Sequence, residues 1–588
     1  MRNIELGRCF RDLAAYLEMH DVPFKPRAYD KAASVIEAYD RPLADVYRAG
    51  GAKALRAIPG IGASMAAKLE ELLTTGRCAL RDEYHAKIPV DVAALTAVEG
   101  IGPKAVRVLW EQLGVRTIAD LEAAARAGKV RALPHFGERS EQRILKAVAF
   151  AESTGGRTPL GTVLGRVEHI RATLAALPGV ETAAIAGSIR RRRDMIGDAD
   201  ILVVARKADA VMRAFVALPD VARVVGRGES KTSVKLADGF QVDLRVVPAA
   251  SFGAALCYFT GSKAHNVTLR QLAIKDGLKL NEYGLFKGAR RVAGRTEEEV
   301  YARLGLAWIP PELREDRGEI DAARAGTLPR LIEHDSLRGD LQIQTDWTDG
   351  ADSIEAMARA ACALGLEYMA ITDHTRALAM ARGSDETKLA RQMREIAAVG
   401  ARVPGIRILT GAEVNIDRDG ALDIADDTLA ALDVVGIAVH SHFDLPRDEM
   451  TRRIVRAMQN PHADILFHPT GRKLGRRPAY DVDMDAVIAA AKATGTVLEL
   501  DAYPDRLDLK DDHVRRAIEA GIPIVIDSDA HAAAHLAFPR DFGVDQARRG
   551  WATAADVLNT RPVEDFVAAL KDGRAGARGR PARRPRRA

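Results

Sequence analysis

The alternation of apolar and polar positions divides the chain into four textures. Residues 1 to about 155 repeat Ala and Leu at helical spacing between short Gly-containing turns, which predicts an all-helical front region. From about 158 to 320, apolar runs such as I-L-V-V-A (201–205) and F-Q-V-D-L-R-V-V (240–247) alternate with helical segments, predicting an α/β or α+β domain. A mixed stretch (310–338) leads into a second α/β region over about 340–572. G-G-R-T-P-L-G (155–161) reads as a linker. The Arg/Gly/Pro-rich end, G-R-A-G-A-R-G-R-P-A-R-R-P-R-R-A, is expected to be disordered, either a solubilising tail or a weak grip on phosphates.

Bulk composition narrows this picture only slightly. At 588 residues the chain is long enough for three or four domains, and 47% hydrophobic with 28% charged content is ordinary for a soluble globular protein. A net charge of +5 is compatible with a polyanionic partner and does not require one. Cys9, Cys78, Cys257 and Cys362 lack paired spacing, which points to a reducing compartment. No run approaches the roughly 20 apolar residues that span a membrane, and the N-terminus lacks a secretory apolar core. A cytoplasmic, nucleoid-associated monomer without a membrane partner is expected.

The front region repeats one small pattern. I-P-G-I-G (58–62) and V-E-G-I-G (98–102) precede Ala-rich helices, and L-P-H-F-G (133–137) is a third copy with His135 in place of its first glycine. Gly60, Gly62, Gly100 and Gly102 permit a tight turn that leaves backbone N–H groups pointing outward from the next helix, which suits a phosphate. The pattern resembles the helix-hairpin-helix motif, which contacts DNA phosphates without reading sequence.

A-G-S-I-R-R-R-R-D-M-I-G-D-A-D-I-L-V-V (186–204) carries the strongest chemical signal. Asp198 and Asp200 are two apart at the start of an apolar strand, so both fall on one sheet face. In F-Q-V-D-L-R-V-V, Val242, Leu244 and Val246 alternate against Gln241, Asp243 and Arg245. Pairing the two strands brings three carboxylates together, a repulsive cluster that divalent cations relieve. Two such ions about 3.5–4 Å apart activate a hydroxyl and stabilise a leaving pyrophosphate. Gly187 and Ser188 open a helix toward a triphosphate, and Arg191 adds a guanidinium.

The third signal is a set of apolar runs that end in polar residues. Eight of the 14 histidines lie between 374 and 535. Y-M-A-I-T-D-H (368–374), I-L-T-G-A-E (408–413), V-V-G-I-A-V-H (434–440), I-L-F-H (465–468) and I-V-I-D-S-D-A-H (524–531) are separated by helical stretches. A β/α barrel has this layout, its strand ends meeting at one rim, and His, Asp and Glu there bind zinc, manganese or similar ions.

The Asp198/Asp200/Asp243 constellation, followed by A-L-C-Y-F-T-G-S-K-A-H-N-V-T-L-R-Q-L-A (255–273) and L-N-E-Y-G-L-F (280–286), resembles the DNA polymerase beta-like superfamily and, within it, family X. The resemblance implies Asp198, Asp200 and Asp243 as catalytic Mg2+ or Mn2+ ligands. It adds Gly197, Tyr258, Phe259, Gly261 and Asn266 to the nucleotide-binding set of Gly187, Ser188 and Arg191, and assigns Arg245 and Arg270 to DNA. Gln241 departs from the arginine often found two residues before the third aspartate. F-K-P-R-A-Y-D-K-A-A-S-V-I (24–36) and I-P-G-I-G-A-S-M-A-A-K-L (58–69) resemble the family's small lyase domain, with Lys68 at the Schiff-base position, Lys25 and Tyr29 as supports, and Ser64 replacing a phosphate-binding lysine. The histidine set resembles the polymerase-and-histidinol-phosphatase (PHP) domain, with Asp349, His374, Glu413, His440, His468, Asp529 and His531 at ligand positions. There D-L-Q-I-Q-T-D-W-T-D-G (340–350) supplies Gln342 and Gln344 in place of His-x-His, and an amide oxygen is a far poorer zinc ligand than imidazole. His442 is a candidate substitute.

The expected architecture is multidomain. It comprises a helical lyase-like region with the first helix-hairpin-helix (1–85), a second helix-hairpin-helix region (86–157), an α+β nucleotidyltransferase palm (158–250), a thumb (251–320), a linker (321–338), a β/α barrel-like PHP domain (339–573) and a basic tail (574–588). The implied function is templated dNMP addition to a primer 3′-hydroxyl on gapped or primer-template DNA from dNTP, in repair. Abasic-site lyase activity stays open, since Lys68 reads equally as a Schiff-base nucleophile or as a phosphate-binding or solvated helix lysine, and the PHP centre is partly occupied by Zn2+ or Mn2+ with weak or absent 3′–5′ exonuclease activity. A template-independent nucleotidyltransferase and a DNA-binding scaffold are the rival readings.

Overall fold

The computed structural model describes residues 3–577 apart from 40, 59, 99, 135, 154 and 155, so His135 of the third glycine turn lies outside the described residues. Two compact units are present, one of residues 1–155 with 475–478 and the other of 156–474 with 479–588.

The first unit is helical, as its periodicity predicts. Leu6, Phe10, Leu13 and Leu17 recur at three- and four-residue spacing along the helix Asn3–Met19 and bury against Tyr29, Ala32, Ala33 and Ile36 of the helix Lys25–Ala38. The same first helix turns Tyr16 and Met19 into a second core with Leu95, Ile101, Val106 and Leu109. The expected division at 85/86 therefore falls inside the helix Ala79–Lys87, whose Tyr84 packs against both cores. Gly60 and Gly100 take φ of 86° and 82°, and Gly62 and Gly102 cap the helices Ala63–Thr75 and Pro103–Leu113 without a side-chain hydrogen bond.

In the second unit a five-stranded sheet runs Val180–Ile185, Asp198–Ala205, Gln241–Val246, Lys231–Leu236, Val221–Arg227 in spatial order. Ile201, Val203, Val242 and Leu244 bury one face against the helices Leu160–Ala175 and Ala208–Val216. Leu202, on the other face, meets Ala255 and Leu256 of the helix Phe252–Thr260. A three-stranded sheet (Lys279–Asn281, Gly284–Lys287, Arg290–Ala293) and the helices Lys263–Lys275, Glu297–Arg303 and Glu319–Ala325 follow. The last of these helices takes the first residues of the expected linker, and only 326–338 run without regular structure.

Seven parallel strands in sequence order build the final domain: Gly339–Asp340, Tyr368–Ile371, Arg407–Asn415, Val434–Ala438, Ile465–Leu466, Val497–Asp501 and Ile524–Asp527. A bridge between Ile343 and Ala530 joins the first strand's extension to the last, with Gln344 N–H donating to the Ala530 carbonyl at 2.8 Å, so the sheet is nearly closed. Parallel strands buried on both faces explain the unbroken apolar runs. The last helix continues through Ala577, so residues 574–577 of the expected tail are helical, and 578–588 lie outside the described residues. No described helix is long and apolar enough to cross a membrane.

The barrel interior leaves no spare volume at Gly436, where an added Cβ would sit 1.9 Å from a ring carbon of buried Phe467. Gly436→Ala is expected to destabilise the barrel by about 1–3 kcal/mol through overpacking. Scanning calorimetry should record this as a lower-temperature transition of the second unit.

Candidate functional sites on the palm sheet and at the barrel mouth

Strands Asp198–Ala205 and Gln241–Val246 are parallel neighbours, in a register that sets Asp200 opposite Asp243 and Asp198 opposite Gln241. Because the odd-numbered apolar residues of the first strand face the helical core, the aspartates share the opposite face. Asp243 is buried, with Lys231 Nζ 2.5 Å from one carboxylate oxygen and the Gln241 amide donating to the other at 3.0 Å. Gln241, where the family pattern offers an arginine, is thus spent on orienting Asp243. Burial, followed by repulsion from Asp198 and Asp243, pushes the Asp200 carboxyl up to about 6. Burial and Asp243 likewise raise Asp198.

Gly187 closes one side of this cluster. It has φ 64°, and a Cβ there would approach Asp200 Oδ2 to 2.7 Å. The Ala186 N–H donates to the Asp200 carbonyl at 2.8 Å. A carboxylate trio with one close lysine and a glycine-lined edge suits hard divalent cations, which take oxygen ligands. Ser188 is half-buried beside this turn, and Gly197 is exposed with open space where a Cβ would lie.

Beyond the trio, the helix Phe252–Thr260 and the turn after it carry the expected nucleotide residues. Tyr258 and Phe259 pack edge to face at 5.0 Å, and the Arg245 guanidinium stacks 4.2 Å over the Phe259 ring. The Asn266 amide donates to the Tyr258 carbonyl at 2.6 Å, and a Cβ on Gly261 would meet Asn266 Oδ1 at 2.8 Å. Arg270 is exposed. Arg191 donates to Glu315 at 3.0 Å and to the Thr260 carbonyl at 2.6 Å. The sequence reading missed Arg190, which pairs in bidentate fashion with Glu297, a carboxylate also gripped by buried Arg314. In the first unit Lys68 Nζ lies 3.1 Å from Ser64 Oγ and 5.7 Å from the centre of the buried Tyr29 ring, while Lys25 is exposed.

At the barrel mouth the polar strand ends converge on Glu413. His440 Nε2 and His468 Nε2 lie 2.9 and 2.8 Å from its Oε1, and His374 Nδ1 lies 3.1 Å from Oε2. Asp349 Oδ2 is 3.5 Å from His374 Nε2 and 3.8 Å from His531 Nε2. Two groups are spaced to hold an ion: Asp349 with His374 and His531, and His374 with Glu413 and His440. Imidazole nitrogens and carboxylate oxygens are the donors zinc and manganese accept. Against the downward pull of burial, Glu413 and Asp349 raise His374 to about 9.

The same mouth also holds hydrogen-bond donors to its carboxylates. The buried Gln344 amide donates to Glu413 Oε2 at 2.8 Å, and Gln342, its amide turned to satisfy its surroundings, donates to Glu499 at 2.6 Å. Arg506 places its Nε 3.2 Å from Asp501 and 3.4 Å from Asp529. Two amides and a guanidinium thus donate to carboxylates of this mouth, Glu413 of the second ion-spaced group among them. His442 is exposed, in neither ion-spaced group, and so does not replace the missing imidazoles. Glu499, Asp501 and Arg506 escaped the sequence reading, although V-L-E-L-D (497–501) is one more apolar run with an acidic end.

Four family profiles match the chain: a helix-hairpin-helix domain over residues 1–78, a SAM-like helix-hairpin-helix tandem over 92–149, the DNA polymerase beta thumb over 255–315 and the PHP domain over 340–478. The chain is 36% identical over 576 residues to the DNA polymerase/3'-5' exonuclease PolX of Bacillus subtilis, spanning 97% of this chain and 100% of that protein. DNA polymerase lambda of Rattus norvegicus is 25% identical over 346 residues, 53% of this chain and 56% of that protein. A probable phosphatase of Acetivibrio thermocellus is 31% identical over 187 residues, 30% of this chain and 73% of that protein.

The crowded carboxylates make metal-free stability depend on pH. The Asp200 carboxyl is pushed up to about 6 when folded, against 3.8 for an unperturbed aspartate, so the folded chain holds the extra proton between those values. Stability therefore falls as pH rises through that window, by about 2–3 kcal/mol in all. Asp200→Asn should raise the metal-free melting temperature at pH 7.5, and the gain should vanish below about pH 4, the unperturbed carboxyl range.

Proposed function

The chain belongs to the family X DNA polymerases that carry a C-terminal PHP domain, and on that premise we propose that it fills short gaps in DNA during repair. The reaction is templated addition of dNMP to a primer 3′-hydroxyl, and the observation that carries this reading is Asp200 facing Asp243 across adjacent parallel strands with Asp198 two residues away.

Asp198, Asp200 and Asp243 are the residues that would hold Mg2+ or Mn2+, ions that lower the charge barrier between a nucleophilic oxygen and a triphosphate. Asp243, held between Lys231 and Gln241, accepts the primer hydroxyl's proton. Gly187, Gly197 and Ser188 admit the triphosphate, and Arg191 neutralises it. Tyr258, Phe259 and Gly261 lie beneath the sugar, with Asn266 at the minor-groove edge of the incoming base. Arg245 and Arg270 face the DNA, and the glycine turns at Gly60–Gly62 and Gly100–Gly102 bind its backbone. Lys68 is assigned as the amine that attacks an abasic sugar.

The PHP centre is assigned a reduced metal complement. Asp349, His374, His531, Glu413, His440 and His468 fit ions, with Asp529 held by Arg506. The Gln342 and Gln344 amides supply hydrogen-bond donors where that chemistry asks for lone pairs. Weak 3′–5′ exonuclease activity follows. A template-independent nucleotidyltransferase remains the rival, distinguished by omitting the template strand.

Asp243→Ala should lower dNTP incorporation on a one-nucleotide gap bearing a 5′-phosphate by more than about a hundredfold, since losing even an outer-shell partner costs about 10–100-fold. Binding to that DNA should be unchanged in a gel-shift assay, and retained incorporation would count against the assignment. In protein carrying Asp198→Ala and Asp200→Ala, primer digestion should be feeble and should rise on adding Gln342→His with Gln344→His. Robust digestion without those histidines contradicts the reduced-metal reading.

A further inference from the structure

Four consecutive arginines, Arg190–Arg193, follow the Gly187–Ser188 turn, and each is engaged. Arg190 is held by Glu297, and Arg191 and Arg193 lean on Glu315, within the polymerase domains, but Arg192 and Asp194 meet the barrel domain. Arg192 Nε lies 3.2 Å from Asp545, and Asp194 is bonded by Arg472 at 2.9 Å.

The innermost of these contacts is made by Arg549, which is 3% exposed. One terminal nitrogen donates to the main-chain carbonyl of Arg191 at 2.6 Å and to Glu315 Oε1 at 3.1 Å. The other donates to Asp511 at 2.7 Å, a carboxylate that Arg317 also reaches at 3.0 Å. Glu315 Oε1 is thus shared, with Arg191 Nε at 3.0 Å, Arg549 at 3.1 Å and Arg193 at 3.9 Å. All the charges in this cluster are largely withdrawn from water, where a carboxylate stripped of its partner is strongly penalised.

That sharing has a consequence for Arg191. Its guanidinium points at Glu315 and the Thr260 carbonyl, and to reach a triphosphate it must release Glu315. Glu315 tolerates the release only if another cation stays on it, and Arg549 is the nearest remaining one. We propose that Arg549, a residue of the PHP domain, is a positioning residue for nucleotide addition: it anchors the main chain at Arg191 and keeps Glu315 paired while Arg191 turns to the incoming triphosphate. The inference rests on the reading of Arg191 as a triphosphate ligand.

The test is single-nucleotide incorporation by the full chain on gapped DNA, with dNTP varied to separate KM from kcat. Arg549→Met should raise KM for dNTP about tenfold, the scale of a partly compensated buried charge, with little change in kcat. Adding Glu315→Gln to that variant should bring KM back toward wild type, because a neutral amide no longer retains Arg191 by charge. A purely structural role predicts instead that Arg549→Met lowers the melting temperature and kcat without a selective rise in KM for dNTP, and that Glu315→Gln restores stability alone. Arg549→Lys, which keeps the charge and loses the fork, should fall between, and it replaces Arg549→Met if thermal unfolding shows that variant is not folded. Unchanged KM in either folded variant, or no rescue by Glu315→Gln, overturns the proposal. Arg191→Ala separates the premise: unchanged KM there removes Arg191 as a triphosphate ligand and the inference with it, whereas a raised KM there with none in the Arg549 variants refutes the inference alone.

Discussion

Carboxylates drawn together by strand pairing repel one another, and the chain supplies too few fixed cations nearby to cancel that repulsion. On the palm sheet, register forces Asp200 against Asp243, and the pull of Lys231, Arg245 and Arg157 does not offset burial and mutual repulsion at Asp198 and Asp200. Burial first, and then repulsion from Asp198 and Asp243, pushes the Asp200 carboxyl up to about 6. Mobile divalent ions satisfy such a site and leave with product, whereas a fixed arginine would neutralise it and block it. The surrounding features follow from keeping that space open. Gly187 has no side chain where one would strike Asp200, and the neighbouring arginines turn outward to Glu297, Glu315 and Asp545.

The barrel mouth meets the same physical demand in another way. There fixed groups take up part of the charge: Arg506 lies between Asp501 and Asp529, and two glutamine amides donate to Glu413 and Glu499. Asp349, His374 and His531 keep metal-ligand spacing, as do His374, Glu413 and His440. One chain thus holds a crowded carboxylate trio and a His–carboxylate centre partly satisfied by its own side chains.

Much of this was legible in sequence because it follows short-range periodicity. Alternation of two placed Asp198 with Asp200 and set Asp243 and Arg245 against Val242 and Leu244, as the sheet has them. Apolar runs with polar ends announced the barrel, and the same rule extended to Val497–Asp501 would have found Glu499 and Asp501. Other features needed the folded chain. Arg549 and Arg191 are 358 positions apart, and no local pattern marks an arginine that will bury against another domain's carbonyl. One amphipathic helix, Asn3–Met19, contributes to two cores on either side of the 85/86 division, a sharing that a linear segmentation cannot express. The helical residues 574–577 were read as tail because they open the Arg/Gly/Pro-rich stretch that runs to residue 588.

The central claim is that the trio exists to hold divalent ions beside a primer end. Crystals of the full chain with gapped DNA, a non-hydrolysable dNTP and Mn2+, measured at the manganese absorption edge, address it directly. The account predicts anomalous density within bonding distance of Asp198, Asp200 and Asp243 together, with the triphosphate on the Gly187 side. Density that bypasses Asp243, or a triphosphate seated elsewhere, would contradict it.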